Sequence, residues 1–213
     1  MLMAEVGLFE AIYSQRQFTH YKPNPVPAEA LEKIVDAATK APSGANRQPW
    51  EFIVITDRDL IGQVGRIYRD VWLAAWAETP TPGESAAHGQ ARYLAQHMPE
   101  VPAMILVCAD HGTASGGEIV RGSQGSSIWL AVQNLFLAAR ALGLGTRLTT
   151  AHLRGEQEIK NLLGIPDHVE TVTLIPVGYP EGEFGVTKRR PAAEVTSYNR
   201  YGNRRAGDRG ERS

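Results

Sequence analysis

The sequence predicts an α+β protein on three observations. Residues 103–109 form an uninterrupted apolar run, the pattern of a strand buried on both faces, and shorter apolar runs stand at 52–55 and 171–177. Stretches with apolar residues at helical spacing lie before and between these strands. Residues 126–142 are apolar nearly all the way round, interrupted mainly by Gln133, Asn134 and Arg140, as in a helix at the centre of a core or in a subunit interface. At 213 residues, 43% hydrophobic and 21% charged, the chain is read as one domain over 1–213, long enough to bury a full core.

The elements follow in order. Within 6–15, Leu8, Phe9, Ile12 and Tyr13 recur at helical spacing. The prolines of KPNPVP (22–27) forbid a helix, and a second helix starts near Pro27, a residue suited to a first turn, with Leu31, Ile34, Val35 and Ala38 as its buried stripe. Trp50 opens the strand at 52–55. A long helix over 59–76 turns Ile61, Val64, Ile67, Tyr68 and Val71 inward. Residues 79–89 read as a Pro/Gly/Ser loop and 90–98 as a helix; a Gly/Ser-rich loop at 111–117 follows the central strand. A strand over 143–150, a short helix over 156–163 ending at Gly164, and the strand at 171–177 complete the core. From Glu181 onward the chain is extended and polar, with no evident way to bury itself on its own subunit, and 200–213 is a basic tail expected to be solvated.

Composition narrows the function. A formal net charge of −1 predicts no bulk attraction to nucleic acid or membrane. The single cysteine, Cys108, sits in an apolar strand; it makes no intrachain disulfide and fits a reducing compartment. No N-terminal basic stretch precedes an apolar segment and no window reaches a transmembrane span, so a cytoplasmic protein is expected. Gly143-Leu144-Gly145 lacks the third glycine of a dinucleotide fingerprint. There is no phosphate-loop lysine motif, no Gly-x-Ser-x-Gly and no His-Glu-x-x-His. The 6 histidines are scattered without ligand spacing, so no metal is expected.

The most specific stretch is APSGANRQPW, residues 41–50. Pro42 and Pro49 stiffen its ends, Gly44 is free to take a positive φ, and Ser43 and Asn46 offer short polar side chains beside backbone N–H groups. Such a loop suits close approach to a flat ligand with polar edges. Placed directly after an amphipathic helix, the decamer resembles the flavin-contacting loop of the nitroreductase family.

That resemblance extends from about Leu8 to about Asn203. Arg16, Gln17 and Thr19 stand where the family carries an Arg-Arg-Ser-x-Arg cluster; Arg16 fits, whereas Gln15, Gln17 and Thr19 depart, so one or two cationic contacts to a phosphate are missing. TKRRP (187–191) matches the family's basic pair before a proline, with Arg189 the preferred phosphate ligand and Lys188 and Arg190 weaker ones. ARALGLGTRLTT (139–150) resembles the strand beside the isoalloxazine, which implies Leu148, Thr149 and Thr150 as contacts, through main chain more than side chain. LIPVGYP (174–180) matches the last core strand and turn.

The resemblance implies a nitroreductase-like fold, a central mixed β-sheet flanked by helices, forming a homodimer with an exchanged C-terminal arm and two FMN sites at the interface. Pro42, Ser43, Gly44, Asn46 and Gln48 are implied to contact FMN from the subunit opposite the one supplying part of the arm. It implies hydride transfer from NADH or NADPH through flavin N5 to a nitroaromatic, quinone or related small-molecule acceptor, by a ping-pong mechanism. No catalytic side chain is then needed, since the cofactor carries the chemistry. The same fold hosts dehalogenation, flavin fragmentation and dehydrogenation, and a flavin-storing or redox-sensing role is the non-enzymatic alternative. Acceptor access is assigned to 59–98, where Tyr68, Trp72, Trp76 and Tyr93 either sandwich a planar acceptor or belong to the core.

Overall fold

A computed structural model describes residues 6–76, 86–110 and 123–204, those at 86, 87 and 123–126 by backbone alone. The loop expected at 111–117, most of that at 79–89, and the tail beyond 204 lie outside the described residues.

Four strands, β1 (Trp50–Ile55), β2 (Ala103–Asp110), β3 (Gly145–Thr146) and β4 (Val169–Gly178), form one sheet in the order β1-β2-β4-β3. All three ladders are antiparallel, running from Trp50↔Ala109 to Ile55↔Met104 and from Ala103↔Val177 to Asp110↔Val169, with a register shift between Val107 and Cys108. The sheet, expected to be mixed, is antiparallel in all four strands; among the described residues one isolated bridge outside them, Gln17↔Thr146, is parallel.

Because β2 is buried on both faces, its side chains alternate between two cores. Ala103, Ile105, Val107 and Ala109 meet α2 (Ala28–Thr39) and α5 (Ser123–Ala141); Met104, Leu106 and Cys108 meet α3 (Arg58–Trp76), α4 (Ala86–His97) and α6 (Glu156–Leu163). Pro27 precedes α2 with φ −60°, already the helical value. Asp57 caps α3 by accepting the Leu60 N–H at 2.9 Å, and Gly164, at φ 67°, ends α6 in the left-handed conformation. Gly65 is required by close approach: a Cβ there would lie 2.5 Å from the backbone of Pro99.

Two expectations need correction. Residues 86–89, assigned to a loop, are the first turn of α4. The strand over 143–150 shrinks to two residues plus the single pairing Thr149↔Leu174, and a 3₁₀ turn, Ala151–Gly155, follows it. The arm from Glu181 has no buried residue as far as 204, as its polarity predicts, yet two backbone bonds tie its start to its own subunit: the Glu181 N–H donates to the His20 carbonyl and the Thr187 N–H to that of Tyr13, so 180–187 runs antiparallel to 13–21. Tyr68 and Trp72 lie in the core, with Trp72 only 5% exposed, and Tyr93 is stacked between His20 (3.7 Å) and His97 (4.0 Å). The apolar residues of α1 (Leu8–Ser14), by contrast, face outward: Phe9 is 67% and Tyr13 58% exposed.

Cys108 is inert by position, since burial pushes its thiol up to about 12. His152 is fully buried in the 3₁₀ turn, and neither ring nitrogen has a hydrogen-bond partner. Desolvation lowers its pKa from 6.5 to about 4, with Glu156 opposing the shift. The unfolded chain therefore takes up this proton first as pH falls, so stability is constant above about pH 7 and declines below it by about 2 kcal/mol at about pH 5. His152→Leu is expected to flatten the urea midpoint between those two pH values; an unchanged slope would assign the acid sensitivity elsewhere.

Candidate functional site

Between buried Ala41 and buried Pro49, the loop of the decamer stands in solvent, with Pro42 and Gly44 through Gln48 exposed. It is nonetheless held tightly. The Ser43 carbonyl accepts the Asn46 N–H at 3.0 Å, the Ser43 hydroxyl accepts the Gln48 N–H at 3.0 Å, and the Gln48 side-chain amide donates to the Asn46 carbonyl at 3.3 Å. The Gly44 N–H reaches the buried hydroxyl of Ser127 on α5 at 3.4 Å, which anchors the loop to the core. Ser127 is a residue the sequence did not single out, because one serine in a serine-containing helix start has no distinguishing spacing.

The positive φ expected of Gly44 is absent there. It falls instead on Ala45 (52°), Asn46 (53°) and Gln48 (49°). Left-handed backbone costs an L-residue roughly 1–2 kcal/mol. Three such residues stand in one exposed loop, outside any core. A Cβ placed on Gly44 would meet nothing within 4 Å, so its outer side is open.

The segment 146–150 lies beside 16–18. The Phe18 N–H donates to the Thr146 carbonyl at 3.0 Å, and the Leu148 N–H to Oε1 of Gln17. Gln17 thus bonds to the backbone of the 146–150 segment. Leu148 and Thr150 are exposed. Thr149 is buried: its hydroxyl donates to the Leu174 carbonyl, while its carbonyl accepts from the Leu174 N–H and the Thr173 hydroxyl. No side-chain group of Thr149 is left for a ligand. Thr19 is likewise buried, its hydroxyl 2.9 Å from His20 Nδ1 in a narrow cleft with Tyr93, His97 and Glu100.

Of the two C-terminal arginines, Arg190 is occupied, its Nε 3.5 Å from Glu194. Arg189 is exposed, donates only to the adjacent Lys188 carbonyl at 2.9 Å, and forms no ion pair among the described residues. Arg16 is exposed, with its guanidinium 6.0 Å from the Phe18 ring. The docking of Thr187 on Tyr13 brings the segments that bear Arg16 and Arg189 together on one subunit.

Residues 13–179 match the Nitroreductase family. A candidate NADH dehydrogenase/NAD(P)H nitroreductase of Methanothermobacter thermautotrophicus is 31% identical over 180 residues, covering 84% of this chain and 80% of that protein. Iodotyrosine deiodinase 1 of Rattus norvegicus is 27% identical, covering 84% of this chain and 64% of its own length. Among solved structures, iodotyrosine deiodinase bound to FMN and 3-iodo-L-tyrosine superimposes with a TM-score of 0.74 at 25% identity, over 92% of this chain and 100% of that one.

Proposed function

The chain belongs to the nitroreductase family, and from that premise we propose that it is an FMN-dependent oxidoreductase moving hydride from NADH or NADPH to a nitroaromatic, quinone or related acceptor. The observation that carries the reading is the strained 42–48 loop, whose polar groups face solvent beside an open glycine. FMN fits this donor set. Its phosphate suits the unpaired guanidinium of Arg189 and that of Arg16, and its flat ring suits the backbone of 44–46 and 148–150.

Bound FMN would supply the redox chemistry, accepting and returning hydride at N5. The chain's own residues bind and orient. Arg16 and Arg189 hold the phosphate; Pro42, Ser43, Asn46 and Gln48 border the ribityl chain and ring; the backbone at Leu148 and Thr150 fixes the ring edge, and the Leu148 side chain excludes water. The loop would come from the partner subunit. Support for a homodimer lies in the outward apolar residues Leu8, Phe9, Ile12 and Tyr13 on α1 and Trp129 and Leu130 on α5. The sheet edge at β1, with the apolar groove of Leu31, Val35 and Val54 beside it, offers the arm of a second copy the cover that Val195 and Tyr201 lack.

Steady-state kinetics with NAD(P)H and a nitroaromatic are expected to give parallel double-reciprocal lines, one site serving donor and acceptor in turn. Intersecting lines would refute the shared site, FAD as the released cofactor would refute the FMN assignment, and failure to oxidise NAD(P)H would favour a flavin store. A second reading, reductive dehalogenation, is supported by the likeness to the deiodinases. Release of iodide from 3-iodo-L-tyrosine at a rate above that of nitroaromatic reduction would favour it.

A further inference from the structure

We infer that Arg140 is a positioning residue for the phosphate end of the cofactor, an inference that rests on the FMN reading above. Arg140 lies in the last turn of α5 and is only 8% exposed. Its Nε donates to the Ser14 hydroxyl at 2.7 Å, its Nη2 lies 3.3 Å from Oε1 of Glu10, and its Cζ stands over the Phe184 ring, 4.2 Å from the ring centre. One buried cation thus touches three segments: its own helix, the end of α1, and the C-terminal arm. Ser14 is two residues before Arg16, and Phe184 five before Arg189.

The contacts continue toward both arginines. Phe184 meets Phe18 edge-on at 5.0 Å, and the Arg16 guanidinium stands over the other end of that pair, 6.0 Å from the Phe18 ring. Three residues beyond Phe184, Thr187 bonds to the Tyr13 carbonyl. A cleft of about 460 Å³ opens beside Arg140, bordered by Val6, Lys22, Tyr179 and Phe184. A guanidinium suits the task of joining α1 and the arm, because it can donate to Ser14 and pair with Glu10 while its cation stands over the Phe184 ring.

The inference separates from a merely structural role by the phosphate itself. Riboflavin presents the same ring and ribityl chain without it. In fluorescence titrations of the apoprotein, Arg140→Met is expected to raise the FMN dissociation constant about tenfold, part of what losing a charged hydrogen bond costs, while the riboflavin constant stays within about twofold. The thioether still packs against Phe184, and Ser14 keeps its bond to the Glu10 carbonyl, so folding is expected to survive. Should that variant not fold, Phe184→Leu removes the contact from the arm side and is expected to give the same split. The double variant should be no worse than the stronger single one, since both act through one contact. Equal weakening of FMN and riboflavin, or weakening of neither, would overturn the role of Arg140. Arg189→Ala tests the reading beneath it: if that variant shows no FMN-specific loss the phosphate site itself is misplaced, whereas a loss there without one at Arg140 removes this inference alone.

Discussion

Gly44→Val is expected to leave a folded apoprotein that binds FMN about a hundredfold more weakly, an overpacking cost near the top of the usual range of about 1–3 kcal/mol. The argument is steric and has two halves. Within the chain the substitution is expected to be tolerated: a Cβ at Gly44 meets no atom of the described residues within 4 Å, and φ there is not positive, so the change adds no left-handed strain. Any damage must then come from something that occupies the open side. Thermal unfolding of the apoprotein unchanged beside a lost FMN titration would locate the cofactor against residue 44. Unchanged FMN binding would move the site away from the decamer. Asn46→Ala is the milder companion, with a loss of about 1–3 kcal/mol for an unpaired buried partner group. Its side chain projects from a residue at φ 53°, a conformation asparagine tolerates better than alanine, so the comparison also needs the apoprotein's stability.

The loop also shows where residue pattern stops informing. Its position as an exposed loop between a helix and a strand was legible, because Pro and Gly punctuate loops. Its backbone was not. The sequence offers the left-handed freedom at Gly44, and the chain spends the strain at Ala45, Asn46 and Gln48, where the Ser43 and Gln48 bonds hold it. β2 was readable to within a residue, since a wholly apolar run has only one environment to enter. α3 was readable in extent but not in role. The inward stripe carries Tyr68 into the core, while the spacing of Trp72 and Trp76 left core and acceptor-facing readings open; Trp72 lies in the core. The segment 143–150 mixes Gly, Thr and Arg and pairs for only two residues before turning into 3₁₀ geometry at Ala151, a change that no periodicity in AHLRG announces. The arm's exposure follows from its polarity, but the way its start docks does not. What docks it is a contact between Arg140 and Phe184, and pairings that distant in sequence leave no local trace.

Arg189→Ala is expected to weaken FMN binding by a few kcal/mol, on the basis of about 1.5–3 kcal/mol for each charged hydrogen bond that a two-pronged guanidinium makes to a phosphate. The structure sharpens the expectation by ranking the neighbours. Arg190 is engaged with Glu194 at 3.5 Å, so freeing it for a ligand means giving up that pair, and Arg190→Ala should cost less. Arg189 has only the Lys188 carbonyl to leave. The N-terminal side raises the stakes. Where the family carries further cations, this chain has Gln15, buried Thr19 and a Gln17 already bonded to the Leu148 backbone, so Arg16 is the one cation left in that cluster. With so few charges sharing the phosphate, FMN should be retained less firmly through purification than a fuller cluster would allow, and each remaining arginine should matter more. The loss should also grow smaller as salt is raised, because part of what Arg189 contributes is screened attraction to a dianion at an exposed position. Titration of Arg189→Ala and Arg190→Ala with FMN and riboflavin at low and high salt checks all of this. An FMN-specific, salt-sensitive loss confined mainly to Arg189 is the expected result; equal losses at the two positions, or none at Arg189, would show that the phosphate is held elsewhere.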